Sequence, residues 1–244
     1  MRLIFVRHGD PDYEHDSLTE TGRIEAALVA ERLSGMDIKE FITSPLGRAR
    51  ETAEYTLKKT GRTAQTLEWT QEFFKVRILR PDKGGEREIV WDWLPQDWTI
   101  HPEFYDPVQW SQNPIMKEAH VGEEYDRVCK GLDDFLSEHG YRRDGRLYRA
   151  ESPNRDTYVF FTHFGATCVF LSHLLNISPM TLWHGLCMAP TSVTSVYTEE
   201  RREGIASFRA NECGDVSHLY TAGRAPSSHA RFCETYSNMD ERHD

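Results

Sequence analysis

Two histidines and two arginines stand at points where strands end or a helix begins. His8 and His163 each end an apolar run and come just before a turn that contains glycine. Arg7 precedes the first histidine, and Arg48 opens a predicted helix. Guanidinium groups bind phosphate through two parallel hydrogen bonds, and imidazole can attack phosphorus as a covalent nucleophile. Together these residues predict a pocket for a phosphoryl group.

The chemistry of such a pocket demands further groups. Backbone amides at the start of the helix after His163, at Phe164 and Gly165, would add hydrogen-bond donors and the positive end of a helix dipole. One histidine would attack phosphorus while the other stabilises the equatorial oxygens. Because the departing alcohol needs a proton, we expect a carboxylic acid at the mouth of the pocket.

The elements that must position these groups alternate in the first 70 residues. The pattern predicts strands at 3–6, 41–43 and 64–69, and helices at 23–33 and 48–59. This alternation is typical of an α/β fold, a three-layer sandwich with a mostly parallel central sheet and at least one antiparallel edge strand. Ligands of such sheets bind outside the carboxyl ends of the strands, where Arg7 and His8 stand.

The middle of the chain is less regular. Residues 73–120 hold four of the six tryptophans and five prolines, with poor periodicity. We interpret this stretch as a lid-like insertion that caps the carboxyl edge, within a single domain over 1–244.

Regular patterns return afterwards and predict a helix at 121–139, a strand at 156–162, a helix at 166–176, and two strands at 191–198 and 204–209. We expect this last pair to form a hairpin at the sheet edge. The oligomeric state stays open.

Composition excludes several classes of partner. Lys and Arg number 29 against 39 Asp and Glu, a net charge of −10, which disfavours binding to nucleic acid. No apolar run approaches the roughly 18 residues of a membrane span. The five cysteines are odd in number, widely spaced and lack a C-x-x-C pair. We therefore expect a reduced, cytoplasmic protein without a disulfide framework or a thiolate zinc site.

Four motifs occur in an order that resembles one family. They are Arg7-His8-Gly9 after the first strand, Leu18-Thr19-Glu20 with Gly22, the segment Ser44-Pro45-Leu46-Gly47-Arg48-Ala49-Arg50-Glu51-Thr52-Ala53, and Thr162-His163 at the end of the late strand. With these motifs the chain resembles the histidine phosphatase superfamily, the phosphoglycerate-mutase-like proteins.

The resemblance implies a role for each matching residue. His8 matches the histidine that becomes phosphorylated, and Arg7, Arg48 and His163 match the other residues of the phosphate pocket. The proton donor of the family is usually an acidic residue after the third strand. Glu72 matches best, since its competitor Glu68 lies within the predicted strand. The resembled family needs neither a metal nor a cofactor for this phosphoryl transfer.

The chain also departs from the family pattern. Phe164 stands where the family often has glycine, and Gly165 follows it. Asp10, Pro11, Asp12 and Tyr13 stand where the mutases resemble Glu-Ser followed by Trp-Asn. This departure favours a phosphomonoesterase that acts on a small phosphorylated metabolite, with Tyr13 lining the entrance. A phosphoglycerate-type mutase and a non-catalytic binder of a phosphorylated ligand are the alternatives.

Overall fold

The structure, a computed structural model, describes residues 1–229, 231 and 234–238. Cys233, one of the five cysteines considered above, lies outside the described residues. The strands are β1 (Arg2–Arg7), β2 (Pro11–Asp12), β3 (Ser17–Leu18), β4 (Glu40–Thr43), β5 (Ala64–Thr66), β6 (Ile78–Leu79), β7 (Arg87–Glu88), β8 (Tyr141–Asp144), β9 (Leu147–Ala150), β10 (Thr157–Thr162), β11 (Val193–Arg202) and β12 (Ile205–Asp215). The helices are α1 (Glu20–Ser34), α2 (Gly47–Thr60), α3 (Pro95–Trp98), α4 (Pro114–Glu118), α5 (Val121–Glu138), α6 (Phe164–Leu175), α7 (Pro179–Gly185) and α8 (Ser217–Thr221).

One large mixed sheet organises the described part of the chain. Its eight strands follow the order β5-β4-β10-β1-β11-β12-β9-β8. The first four are parallel to one another, and β11, β12, β9 and β8 continue the sheet in antiparallel pairs. The predicted α/β fold is confirmed, and its antiparallel side is wider than a single edge strand.

The alternation of side chains along the central strands explains why helices cover both faces of the sheet. On β1, Leu3 and Phe5 join the core beneath α5 and α6, whereas Ile4 and Val6 join the core beneath α1 and α2. Both sets are buried because successive side chains of a strand point to opposite faces. A continuous apolar run therefore fits a strand that is covered by helices on both sides.

The predicted position of the last hairpin is wrong. β11 and β12 do form a hairpin, but it lies inside the sheet because β12 also pairs with β9. The edge is formed by the hairpin of β8 and β9, which the sequence analysis missed. Strands β5 and β10 also differ in length from their predictions, since β5 ends at Thr66 and β10 begins at Thr157.

Residues 73–120 form short strands, short helices and 3₁₀ turns. Their buried side chains join the same core as α5 and α6, and include Phe73, Ile78, Val90, Trp93, Phe104, Trp110 and Met116. The aromatic residues of this stretch therefore anchor it to the helical layer. Over the described residues, every helix is too short or too polar to cross a bilayer.

Candidate active site

The two site histidines follow neighbouring parallel strands. β1 and β10 pair in a register that sets Arg7 opposite Thr162, so the next residues, His8 and His163, leave the sheet side by side. Their ring centroids lie 5.1 Å apart, and both residues are buried. The main chain thus brings together two imidazoles that are 155 residues apart in sequence.

The hydrogen bond of His8 fixes its tautomer. Nδ1 lies 2.8 Å from the carbonyl oxygen of Gly9, which can only accept. Nδ1 therefore carries the proton, and in the neutral ring Nε2 keeps its lone pair. This is the state in which an imidazole can attack an electrophile.

The electrostatics of the site keep both rings neutral. Burial, followed by the charges of Arg7 and Arg48, holds the pKa of His8 well below its usual range. Burial also lowers the pKa of His163, and His8, Arg48 and Arg7 add to that effect. Because a proton would add positive charge to a desolvated, already positive cluster, the unprotonated rings are favoured near neutral pH.

Ser44 links the start of α2 to the second histidine. Its Oγ lies 2.8 Å from Nε2 of His163 and also accepts from the amide of Leu46 at 3.3 Å. Ser44 directly follows β4, the strand next to β10. The Ser-Pro-Leu-Gly-Arg segment therefore orients the imidazole of His163 and also positions Arg48 near that imidazole.

Arg7 is buried and held by main-chain oxygens. Its Nη1 donates to the carbonyl of Met188 at 2.6 Å, and its Nη2 donates to the carbonyl of His229 at 3.3 Å. Nδ1 of His229 also lies 2.6 Å from Oδ1 of Asp10. A residue near the end of the described chain thus reaches the site, and no periodicity or motif in that polar region could have shown this.

Arg48 lies in the first turn of α2 and is buried. Its Nη1 donates to Oδ1 of Asp16 at 2.6 Å, and Oδ2 of the same carboxylate accepts from the amide of Gly47 at 2.6 Å. The ring of Tyr13 covers the guanidinium at 5.4 Å and is 60% exposed. Tyr13 therefore lies between Arg48 and solvent.

Glu72 is brought to the start of α6. Its Oε1 accepts from the amides of Phe73 at 2.7 Å and Ala166 at 2.9 Å, and its Oε2 accepts from Gly165 at 3.2 Å. Burial raises the pKa of the Glu72 carboxyl, against the opposing effect of these three donors. The competing candidate Glu68 is exposed in a 3₁₀ turn and accepts a hydrogen bond from Gln71.

The amide of Gly165 does not have the predicted role. In this structure it donates to Glu72, whereas the sequence analysis expected it to face the phosphate. The indole of Trp183 holds the carbonyl of Gly165 at 3.1 Å. A Cβ atom at this position would meet Trp91 at 2.3 Å and Glu72 at 2.7 Å, so only glycine fits. Phe164 is half-buried, and its ring meets that of Trp91 edge-on at 5.9 Å.

The glycines at positions 9 and 22 have a steric cause: the loop after β1 packs closely against α1. A Cβ on Gly9 would lie 2.6 Å from the carbonyl oxygen of Gly22, and a Cβ on Gly22 would lie 2.3 Å from that of Asp10. Thr19 caps α1 by accepting from the amide of Gly22 at 3.0 Å, and its hydroxyl donates to Asp10 at 2.7 Å. These contacts hold the residues beside His8 in place.

Comparison with known sequences gives two matches. The profile described as Histidine phosphatase superfamily (branch 1) matches residues 3–211. A curated protein of Photorhabdus laumondii, described as a probable phosphoglycerate mutase, is 41% identical over 70 residues, which cover 25% of this chain and 33% of that protein. The match therefore spans about a third of the length of that relative.

Solved structures share the fold over most of the chain. A mycobacterial glucosyl-3-phosphoglycerate phosphatase in complex with VO3 superposes with a TM-score of 0.56 at 21% identity, covering 88% of this chain and 99% of that chain. A phosphoserine phosphatase from Entamoeba histolytica, in complex with 3-phosphoglyceric acid, has a TM-score of 0.57 at 16% identity, covering 89% and 98%. At these identities the likeness concerns the fold.

Proposed function

The chain belongs to the histidine phosphatase superfamily, and we propose that it is a metal-independent phosphomonoesterase acting through a phosphohistidine on a small phosphorylated metabolite. The family membership confirms the resemblance that the four motifs indicated. The widely spaced cysteines support a cytoplasmic setting. We further propose that 1–244 form one domain in which residues 73–120 act as the lid-like insertion.

Unpaired nitrogens around His8 carry this proposal. Nε of Arg7, Nε of Arg48 and Nδ1 of His163 are buried and lack a hydrogen-bond partner among the described residues. Buried polar atoms nearly always have partners, and exceptions call for an explanation. The oxygens of a phosphoryl group would satisfy all three nitrogens at once, and would place phosphorus beside the ring of His8.

The first step transfers the phosphoryl group to the enzyme. The Nε2 lone pair of His8 attacks phosphorus, and the bond between phosphorus and the ester oxygen breaks. The protonated carboxyl of Glu72 gives its proton to that oxygen, so that a neutral alcohol departs. Arg7, Arg48 and His163 stabilise the charge on the three remaining oxygens.

The second step returns the enzyme to its starting state. The Glu72 carboxylate takes a proton from a water molecule as the water oxygen attacks phosphorus. The bond between Nε2 and phosphorus breaks, inorganic phosphate leaves, and His8 is again neutral with its proton on Nδ1. The Gly9 carbonyl holds that proton throughout both steps.

The test is phosphate release from phenyl phosphate in the presence of EDTA. We expect release by the wild type and loss of about 10³-fold or more in His8→Ala, as for the removal of a nucleophile. His120→Ala is the matched control, because the exposed side chain of His120 bonds only to Glu123 in the described contacts. Release that survives in His8→Ala, or that requires added metal, would refute the proposal.

A mutase is the second candidate, and the partial match to a probable phosphoglycerate mutase favours it. A mutase needs a phosphoenzyme that outlives the reorientation of its intermediate. Interconversion of phosphoglycerates that depends on a bisphosphate primer, with slow phosphate release, would identify it. Tight binding of phosphate esters without turnover would instead identify a non-catalytic binder.

A further inference from the structure

The position of Glu72 fixes where the alcohol part of a substrate must begin. An acid that protonates the leaving oxygen has to approach it within about 3 Å. The carboxyl of Glu72 is held in place by the amides of Phe73, Gly165 and Ala166. The group attached to the leaving oxygen must therefore lie against the residues that surround this carboxyl.

Two aromatic rings stand beside that carboxyl. Trp91 and Glu72 flank the same Cα atom, since a Cβ on Gly165 would touch both. The ring of Phe164 meets the indole of Trp91 at 5.9 Å. Both rings are half-buried, so part of each remains accessible. We call Trp91 and Phe164 the aromatic wall.

The aromatic wall is backed by the core. The buried ring of Trp183 lies 6.2 Å from that of Trp91 and also packs on Phe73 at 5.3 Å. Its Nε1 donates to the carbonyl of Gly165. The wall is therefore a preformed apolar surface, and an apolar ring would pack on it without the cost of ordering it first.

Three of the four basic residues at 75–83 are already paired with acids, and the fourth, Lys75, is exposed. Arg77 and Lys83 lie against Glu88, and buried Arg80 bonds to Asp82 and Asp92. Arg7 and Arg48 serve the phosphate in the proposed function. An alcohol that carries a carboxylate would need a fixed cation of its own beside Glu72, since a buried charge without a partner is costly.

We propose that the aromatic wall is the leaving-group subsite, and that the preferred substrate is a phosphate monoester of an uncharged alcohol bearing an aromatic ring. This proposal rests on the proposed function. It goes beyond the proposed function by naming Trp91 and Phe164 as residues that determine substrate specificity. An aromatic ring on the alcohol would pack against the indole while its oxygen stays within reach of Glu72.

The test compares three esters of primary alcohols, so that leaving-group acidity differs little. We expect kcat/KM for 2-phenylethyl phosphate to exceed that for sn-glycerol 3-phosphate and for 3-phosphoglycerate by about tenfold or more. If none of the three is hydrolysed, the proposed function fails. If hydrolysis occurs but 3-phosphoglycerate or glycerol phosphate is preferred or equal, only the aromatic wall is refuted.

Variants show whether the wall causes the preference. Trp91→Leu should reduce the ratio of kcat/KM between the phenylethyl and glycerol esters to near one. Trp98→Leu is the matched control and should keep the wild-type ratio, because Trp98 stacks on His184 and Tyr105. If thermal unfolding shows that Trp91→Leu is not folded, Phe164→Leu takes its place. An unchanged ratio in a folded wall variant would overturn the proposal.

Discussion

The carboxylate of Glu72 accepts a hydrogen bond at 2.9 Å from the amide of Ala166, which lies 94 residues further along the chain. Through this contact the proposed acid is joined to α6, the helix that begins directly after His163. The proposed acid and the second histidine therefore share one rigid support. A residue held in this way can deliver its proton to a defined point beside the phosphorus.

We predict that Glu72→Gln slows esters of poor leaving groups far more than esters of good ones. A glutamine cannot supply the proton, and an alkyl alcohol needs that proton more than a nitrophenol does. We expect a loss of about 10²-fold or more with an alkyl ester, and a much smaller loss with 4-nitrophenyl phosphate. Steady-state rates with both esters give the comparison. Glu68→Gln is the control and should behave as wild type, and an equal loss for both esters in Glu72→Gln would exclude the acid role.

The pH dependence of kcat should follow the ionisation of Glu72. The first step needs the protonated carboxyl, and burial raises its pKa above the usual range for glutamate. The acid form therefore persists to higher pH than in an exposed glutamate, and turnover of alkyl esters should fall as pH rises through the raised value. His8 stays neutral over the same range because its pKa is lowered. The profile of Glu72→Gln on the same ester should lack this descending limb, and its persistence in the variant would assign the limb to another group.

We predict that Gly165→Ala damages both stability and turnover. The added methyl group would overlap Trp91 and Glu72, and overpacking of this kind costs about 1–3 kcal/mol. The Tm should fall by several degrees, and kcat should fall as the carboxyl moves. Gly185→Ala is the control, since a Cβ there meets nothing within 4 Å. Differential scanning calorimetry and steady-state kinetics on both variants test the prediction, which fails if they behave alike.

Replacement of Arg48 by lysine should weaken phosphate binding while leaving the fold intact. Lysine keeps the charge but cannot offer two parallel hydrogen bonds. Loss of a hydrogen bond to a charged group costs about 1.5–3 kcal/mol, so the inhibition constant of inorganic phosphate should rise about tenfold or more. Arg50→Lys provides the comparison, because Arg50 is exposed on the same helix. Equal inhibition constants in the wild type and Arg48→Lys would remove Arg48 from the phosphate site.

The sequence predicted the parts of the fold that rest on local patterns. The apolar runs of β1 and β10, and the helices that follow them, are strong signals because both faces of these strands are buried. The hairpin of β8 and β9 gave no such signal. Its strands read Tyr-Arg-Arg-Asp and Leu-Tyr-Arg-Ala, and charged residues at a sheet edge hide the alternation by which strands are recognised.

The features of the site also divide into those that local sequence patterns indicate and those that only the tertiary fold brings together. His8, His163, Arg7 and Arg48 were predicted because each lies next to the end of a strand or the start of a helix. The contacts of Glu72 with α6 could not be predicted, since they join residues that only the tertiary fold brings together. The approach of Trp91 to Gly165 and of His229 to Asp10 is likewise set by long loops, which lack a repeating pattern.

The proposed nucleophile and the Trp91 side of the proposed leaving-group subsite come from separate pieces of the chain. The backbone positions of His8 and His163 are set by main-chain pairing between β1 and β10. Trp91, in contrast, belongs to the irregular stretch 73–120. Changes confined to the exposed part of that stretch would accordingly reshape the proposed leaving-group subsite while the sheet keeps the proposed nucleophile in register.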